Sequence, residues 1–416
     1  MSRRAVFLAV ALAAGCVRGR IVHDGRVNAD ALATVVRDLP ALRGQDFGRP
    51  VPAVALPPAD VAAWLRRDID LSYPGDDLER VSAVYQRLGL LPAGTALRAA
   101  LEDLYRGQIA AFYDPRSKQL VLATEALGTG GPAVRLLSLL SGRDLVGELL
   151  VAHELTHALQ DQHWGLPTEP EPLANSYSDR ILARRALLEG DATLAGFAYV
   201  QRGTPSRATI DRIERQLHAI APTLAAEYPR VPEIVRASLA FQYDAGTAFA
   251  GWALAAGGWT AVDRAEADPP ESTEQVLHPA RYFGVRDRPF EIALHGTEEM
   301  EAAGWRRVLE DTLGELSIRI LARRARTEDA AAAVADGWGG DRLRALARGD
   351  ELVLVWATAW DGPGDAIEFL DAMREAVPDA RVERRGERVL VLVGPSSLLD
   401  GLSARIWGRT TARRTG

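Results

Sequence analysis

The chain has almost no cysteine. Cys16 is the only one in 416 residues, so no internal disulfide can brace the fold. Methionine is nearly as scarce, at Met1, Met300 and Met373. No stretch is apolar and long enough to cross a bilayer as a mature helix. Basic runs are missing too, and a formal net charge of −7 argues against nucleic acid as the main partner. Regular repeats and low-complexity segments are absent. What is present is 47% hydrophobic residues, ample for a real core, and a length that suggests two domains.

The start reads as a targeting segment. Arg3-Arg4 forms a positive n-region, and Ala5 to Ala14 is an apolar run too short to span a membrane. It ends in Leu12-Ala13-Ala14-Gly15-Cys16. A cysteine after small residues at that place resembles the bacterial lipoprotein box, although leucine is commonest where Ala13 stands. The resemblance implies a signal peptide over 1–15, a lipidated Cys16, and a protein anchored in the bacterial cell envelope facing the periplasm or cell exterior. Residues 16–58 read as an N-terminal segment and tether, with a short helix over Ala29 to Leu39 and an extended proline-rich run over 49–58.

One stretch carries chemistry. His153-Glu154-Leu155-Thr156-His157 has the His-Glu-x-x-His pattern. On a helix, positions i and i+4 share a face, so His153 and His157 can hold one metal ion. Glu154 sits at the edge of that face and can reach an activated water as general base without binding the ion. The surroundings suit a helix: a cap-like start at Ser141 to Asp144, an apolar stripe of Val146, Leu149, Leu150, Leu155 and Leu159, and a stop at Gly165 and Pro167.

Zinc needs a third protein ligand, and two residues offer themselves. His163 lies ten positions after His153, the metzincin spacing. However, Gln160 stands where that pattern breaks the helix with glycine, and no Met-turn follows. A helix continuing to Gly165 would turn His163 away, since ten residues make about 2.8 turns. Glu189 lies on a second helix starting near Ser176 or Ser178, beside Gly190. A helical glycine costs about 1 kcal/mol relative to alanine and makes sense where another helix crosses closely. Asp191 and Thr193 lie within reach to hydrogen-bond a ligand histidine.

The pairing of the His153–His157 motif with Glu189-Gly190-Asp191-Ala192-Thr193 resembles the gluzincin branch of the zincin metallopeptidases. Together with Pro270 to Tyr282, the blocks are similar to a set of uncharacterised bacterial lipoproteins with a short gluzincin core. The resemblance covers roughly 105–290. It implies that one zinc ion is held by His153, His157 and Glu189, that Glu154 is the base, and that the substrate is a peptide or protein. Many gluzincins carry aspartate four residues after the glutamate ligand, where this chain has Thr193. Zinc peptidases also stabilise an oxyanion with a residue from outside the metal motif; His278 and Tyr282 are the candidates in the third block.

The expected architecture is α+β. A mainly helical zincin-like domain with a small edge-strand hairpin spans 59–297, and a smaller α+β domain with an antiparallel sheet spans 298–416. The hairpin covers 107–123 around Asp114-Pro115, where an edge strand can add an extended substrate. Phe241, Tyr243 and their neighbours read as core aromatics, and Gly257-Gly258 as a helix end. In the second half, 304–322 reads as helix and 337–341 as a break before two hairpins. The competing reading is a non-enzymatic lipoprotein that keeps the fold as a scaffold. The intact Glu154 favours the enzyme, because a structural zinc has no use for a base.

Overall fold

The computed structural model describes residues 20–106, 110–124, 143–170, 172–219 and 227–414. Cys16 and the expected signal segment lie outside them, as do Ser141 and the first residues of the expected hairpin. The fold is α+β, with an antiparallel sheet in its later part.

A short β1–β2 pair (Val22–His23, Arg26–Val27) leads into α1 (Ala29–Arg43). Asn28 caps that helix by accepting from the Ala31 amide, and Gly44 ends it in the left-handed region. Then come β3 (Ala53–Leu56), α2 (Pro58–Ser72), α3 (Asp77–Leu88) and α4 (Leu97–Arg106). The expected hairpin is present as β4 (Ala111–Asp114) and β5 (Gln119–Ala123). It is not alone, because β3 pairs with β5 in parallel, giving the order β3-β5-β4 with β4 at the edge.

The tether reading of 16–58 is therefore corrected for its described part. Ala53–Leu56 is a sheet strand, and Val35 and Leu39 of α1 pack with Leu120, Val151, Leu155 and Tyr199 in one buried cluster. Proline is tolerated at the start of a strand with a free flank, and pairing with β5 settles the matter.

The helical centre follows: α5 (Leu145–Trp164), α6 (Ser178–Gln201), α7 (Arg207–His218) and α8 (Glu233–Ala267). Gly257 and Gly258 kink α8, with Gly258 at φ 65°, but the helix resumes to Ala267. The expected stop is thus a bend. Short helices α9 (Thr273–Leu277) and α10 (Ala280–Phe283) lead to β6 (Phe290–Ala293) and α11 (Glu298–Ala302).

The later part holds β7 (Arg306–Asp311), α12 (Gly314–Ala322), α13 (Glu328–Asp336), β8 (Trp338–Arg348), β9 (Glu351–Trp360), α14 (Pro363–Ala376), β10 (Arg381–Arg385), β11 (Arg388–Val393), α15 (Ser396–Arg409) and β12 (Thr411–Arg414). The five-stranded sheet has the order β10-β11-β9-β8-β7 and every neighbour is antiparallel. Alternation along β9 explains its two faces. Leu354, Trp356 and Trp360 join the core with the helices; Val353, Val355 and Ala357 pack with Leu402 and Ile406 of α15.

Two local readings give way here. Residues 306–311 form β7 rather than helix, because Glu310 is clamped between Arg342 and Arg344 on the neighbouring strand, at 3.1 and 2.7 Å. The expected break at 337–341 is the start of β8, with a bulge between Trp338 and Gly340. The glycine there lets Phe290 cross: a Cβ on Gly340 would sit 2.6 Å from the Phe290 carbonyl.

The expected boundary at 297/298 does not divide two cores. One buried cluster runs from Val84 and Leu88 through Leu194 and Phe249 to Leu316, Trp356 and Val391. Charged groups sit inside this junction. Asp341 accepts from the Leu313 and Gly314 amides and from the indoles of Trp338 and Trp356. Asp179, at the start of α6, accepts from the Thr273 amide and hydroxyl at 3.1 and 2.5 Å. Burial pushes the Asp179 carboxyl up to about 8, against the pull of the Thr273 bonds and with help from Asp341 and Glu315.

That shift has a sign. A carboxyl whose folded pKa lies above its unfolded one favours folding most below about pH 4 and loses that contribution as pH rises toward about 8. The wild type should therefore lose stability relative to Asp179→Asn between pH 5 and 8, and the gap should then level off. Denaturant melts of both proteins across that range check it; parallel curves would refute it.

Candidate metal centre

Helix α5 begins at Asp144, whose side chain accepts from the Gly147 amide and also holds the Ile21 amide, both at 3.2 Å. One turn separates His153 from His157. Their Nε2 atoms lie 3.2 Å apart, and the rings meet edge to face.

Helix α6 supplies the third group. Glu189 Oε2 is 3.1 Å from His153 Nε2 and 3.6 Å from His157 Nε2. It gets there because α6 lies close against two helices. A Cβ on Gly196 would be 3.0 Å from the Leu149 carbonyl and 3.7 Å from the His153 Cβ. On the other side, a Cβ on Gly190 would stand 2.0 Å from the Gly246 carbonyl, and one on Gly246 would meet the Ala186 carbonyl at 2.0 Å. Crossing at that distance leaves no room for a side chain at either position.

The three donor atoms fit a zinc ion. Tetrahedral zinc with bonds of about 2.0–2.1 Å holds its ligand atoms about 3.3 Å apart. The separations here are 3.1, 3.2 and 3.6 Å. Two imidazoles and a carboxylate are also a donor set that zinc accepts. Another trio of acids, Glu274, Asp287 and Asp361, offers no imidazole, and Glu274 is already paired with Arg281.

Electrostatics follows from burial. Burial disfavours charge on both Glu189 and His157, yet each stabilises the other, so the carboxyl is held low and the imidazole high. Burial pushes Glu154 up, against the attraction of His153 and His157 and with repulsion from Glu189. A carboxylate raised in this way is a better base. Its Oε2 accepts from the Tyr113 amide at 2.9 Å, which turns the group and leaves Oε1 uncommitted to that bond.

The Tyr113 bond is half of a clamp. Two turns along α5, Asp161 accepts from the Tyr113 hydroxyl at 2.7 Å and from Lys118 Nζ at 2.8 Å. Lys118 is the only lysine in the chain and turns the hairpin with φ 58°. So the turn end of the hairpin is pinned to the motif helix at both Glu154 and Asp161.

The outer contacts differ from expectation. Asp191 touches neither histidine. It accepts from Gln160 Nε2 at 2.9 Å, and it is the Gln160 Oε1 that meets His157 Nδ1 at 2.7 Å. Thr193 is buried and makes no hydrogen bond with either histidine among the described residues. Gln160 lies in the motif helix at i+3 from His157, so that spacing could have found it.

His163 faces away as helix geometry requires, with its Nε2 on the Asp46 carbonyl. His278 and Tyr282 are not at this centre. His278 Nε2 pairs with Glu315 at 3.0 Å, the Tyr282 hydroxyl donates to the Asp268 carbonyl at 2.6 Å, and its ring packs on Phe249 and Phe283. Neither forms a hydrogen bond, ion pair or ring contact with His153, Glu154, His157 or Glu189. His278 sits in the break between α9 and α10 and is turned to Glu315 on α12, whereas Tyr282, on α10, packs against Phe249 of α8. The aromatic that does flank the centre is Tyr243 on α8, stacked beside His153 with ring centroids 6.2 Å apart. Its helical spacing read as core packing, and only the α6–α8 crossing at Gly246 brings it here.

The helix crossing can be tested directly. Gly190→Ala should destabilise the protein by about 1–3 kcal/mol in urea melts, through overpacking. Helix propensity alone would stabilise it by about 1 kcal/mol, so the sign decides.

Comparison with known proteins reaches only the later part. A family model described as a domain of unknown function, DUF8575, matches residues 301–403, which contain the five-stranded sheet but none of the metal centre. No curated protein and no solved structure matches the chain.

Proposed function

We propose that this chain is a zinc-dependent peptidase of gluzincin type, anchored in the bacterial envelope through lipid on Cys16. The observation that carries the reading is the spacing of three donor atoms, 3.1 to 3.6 Å apart, with a buried carboxylate beside them. His153, His157 and Glu189 hold the ion. Zinc in such a site supplies Lewis-acid polarisation and an acidified water.

The residues of the chain do the rest. Glu154 takes a proton at Oε1 while its Oε2 stays on the Tyr113 amide. The same carboxyl then gives that proton to the leaving amine. Tyr243, beside His153, is assigned the donor that steadies the developing oxyanion, a role that preorganised donors fill in acyl transfer. The β4 edge runs along α5 and offers a place where an extended peptide can add as a further strand. Strand addition binds main chain and so suits substrates of varied sequence.

Three outcomes test this. Glu154→Gln should keep zinc but cut hydrolysis of an unfolded, dye-labelled protein on the order of 10²–10⁴-fold. Glu189→Ala should lose the metal, as read by zinc per chain, whereas His163→Ala should retain it. Tyr243→Phe should lower kcat on the order of 10²–10³-fold with zinc content unchanged. Full activity in metal-loaded Glu154→Gln, or in the presence of a chelator, would sink the proposal.

A further inference from the structure

We infer that Arg43, at the end of the N-terminal helix α1, is a positioning residue that fixes the orientation of His157 through Asp191 and Gln160. The inference rests on the metal-centre reading above and adds a control on it from a part of the chain expected to be a tether.

The connection is continuous. Arg43 is fully buried, and its Nε and Nη2 donate to the two oxygens of Asp191 at 2.7 and 3.0 Å. Its Nη1 lies 2.8 Å from Asp263, and its guanidinium stacks 4.7 Å over the Trp259 ring. Trp259 and Asp263 belong to the limb of α8 beyond the Gly257-Gly258 bend, so that bend is what returns them to α1. Gly44, at φ 82°, lets the chain turn just past Arg43, with the Trp259 Cβ 3.8 Å from where its own would be.

Asp191 so held can act only as an acceptor. It accepts from Gln160 Nε2 at 2.9 Å, and the same Nε2 donates to the Leu188 carbonyl at 3.0 Å. With the amide nitrogen committed to two acceptors, the Gln160 oxygen has to face His157 Nδ1, 2.7 Å away. An oxygen there requires Nδ1 to carry hydrogen. In the neutral ring that a ligand histidine must be, the lone pair of His157 then belongs to Nε2, the atom 3.2 Å from His153 Nε2. Without the guanidinium, the buried Asp191 carboxylate loses its counter-charge, and only the Leu188 carbonyl is left to keep the Gln160 amide nitrogen away from the imidazole.

Two readouts on the full chain test this. In the metal-free protein labelled with 15N-histidine, NMR should show a protected His157 Nδ1–H resonance, identified by its loss in His157→Ala. Arg43→Met and Gln160→Met should each abolish that protection. Zinc affinity, measured by chelator competition, should fall roughly 10–100-fold in either variant, and the double variant should be no worse than the single ones. Should Arg43→Met fail to fold, the charge-neutral pair Arg43→Met with Asp191→Asn takes its place, with the same losses expected. Unchanged Nδ1–H protection in a folded Arg43 variant would overturn the inference, as would losses that multiply in the double variant. If the wild type binds no zinc, the peptidase reading falls, and the metal-free resonance still judges the relay.

Discussion

The close approach of three helices is the constraint on which the centre depends. Helix α6 must touch α5 on one side and α8 on the other, and glycine is what permits both contacts. At Gly190 and Gly246 the backbones are so near that even a methyl group would strike a carbonyl. That contact sets the depth of α6, and depth sets where Glu189 points. Displacing α6 by the width of a methyl group would shift Glu189 relative to both imidazoles. The favourable energy comes from the apolar residues around the glycines, such as Leu187, Leu194, Phe249 and Ala253, which are buried together.

Around this crossing, charge is placed in pairs and triads. Arg43 stands between Asp191 and Asp263, Asp161 takes both Tyr113 and Lys118, and Glu310 takes Arg342 and Arg344. Buried ion pairs of this sort add little net stability, since desolvation offsets much of their attraction. Their effect is on geometry. Each links segments far apart in the chain, and each would leave an uncompensated buried charge if its segments separated. Two of the three surround the motif helix: one fastens the N-terminal helix behind His157, the other fastens the edge strand beside Glu154.

The later part is built on different physics. Its sheet is covered by helices on both faces, and β9 and β11 are therefore mostly apolar on both sides, whereas β7 and β8 carry charges that meet each other, as Glu310 does with Arg342 and Arg344. The DUF8575 match falls here, on residues 301–403, and not on the candidate metal centre. Yet the core is shared, and Asp179 on α6, Thr273 on α9 and Gly314 on α12 meet where the two parts join. The sheet thus bears on the helix that carries Glu189 through its first turn.

Sequence alone determined the local chemistry. The i and i+4 spacing of His153 and His157, the glycine beside Glu189, the stop of the motif helix at Gly165 and the Asp114-Pro115 hairpin all depend on neighbours within about one helical turn, and these were legible. Helix periodicity likewise predicted that His163 would face away. Only tertiary structure decided the rest. Tyr243 rather than His278 or Tyr282 flanks the centre because two distant helices cross at Gly246. Gln160 rather than Asp191 meets His157 because Arg43, almost 150 positions earlier than Asp191, claims both oxygens of that aspartate. Residues 306–311 are a strand because their hydrogen-bond partners lie on β8, and 53–56 because theirs lie on β5. Such partners leave no periodicity at the position they act on, since strand ladders and buried charge pairs are satisfied across space rather than along the chain.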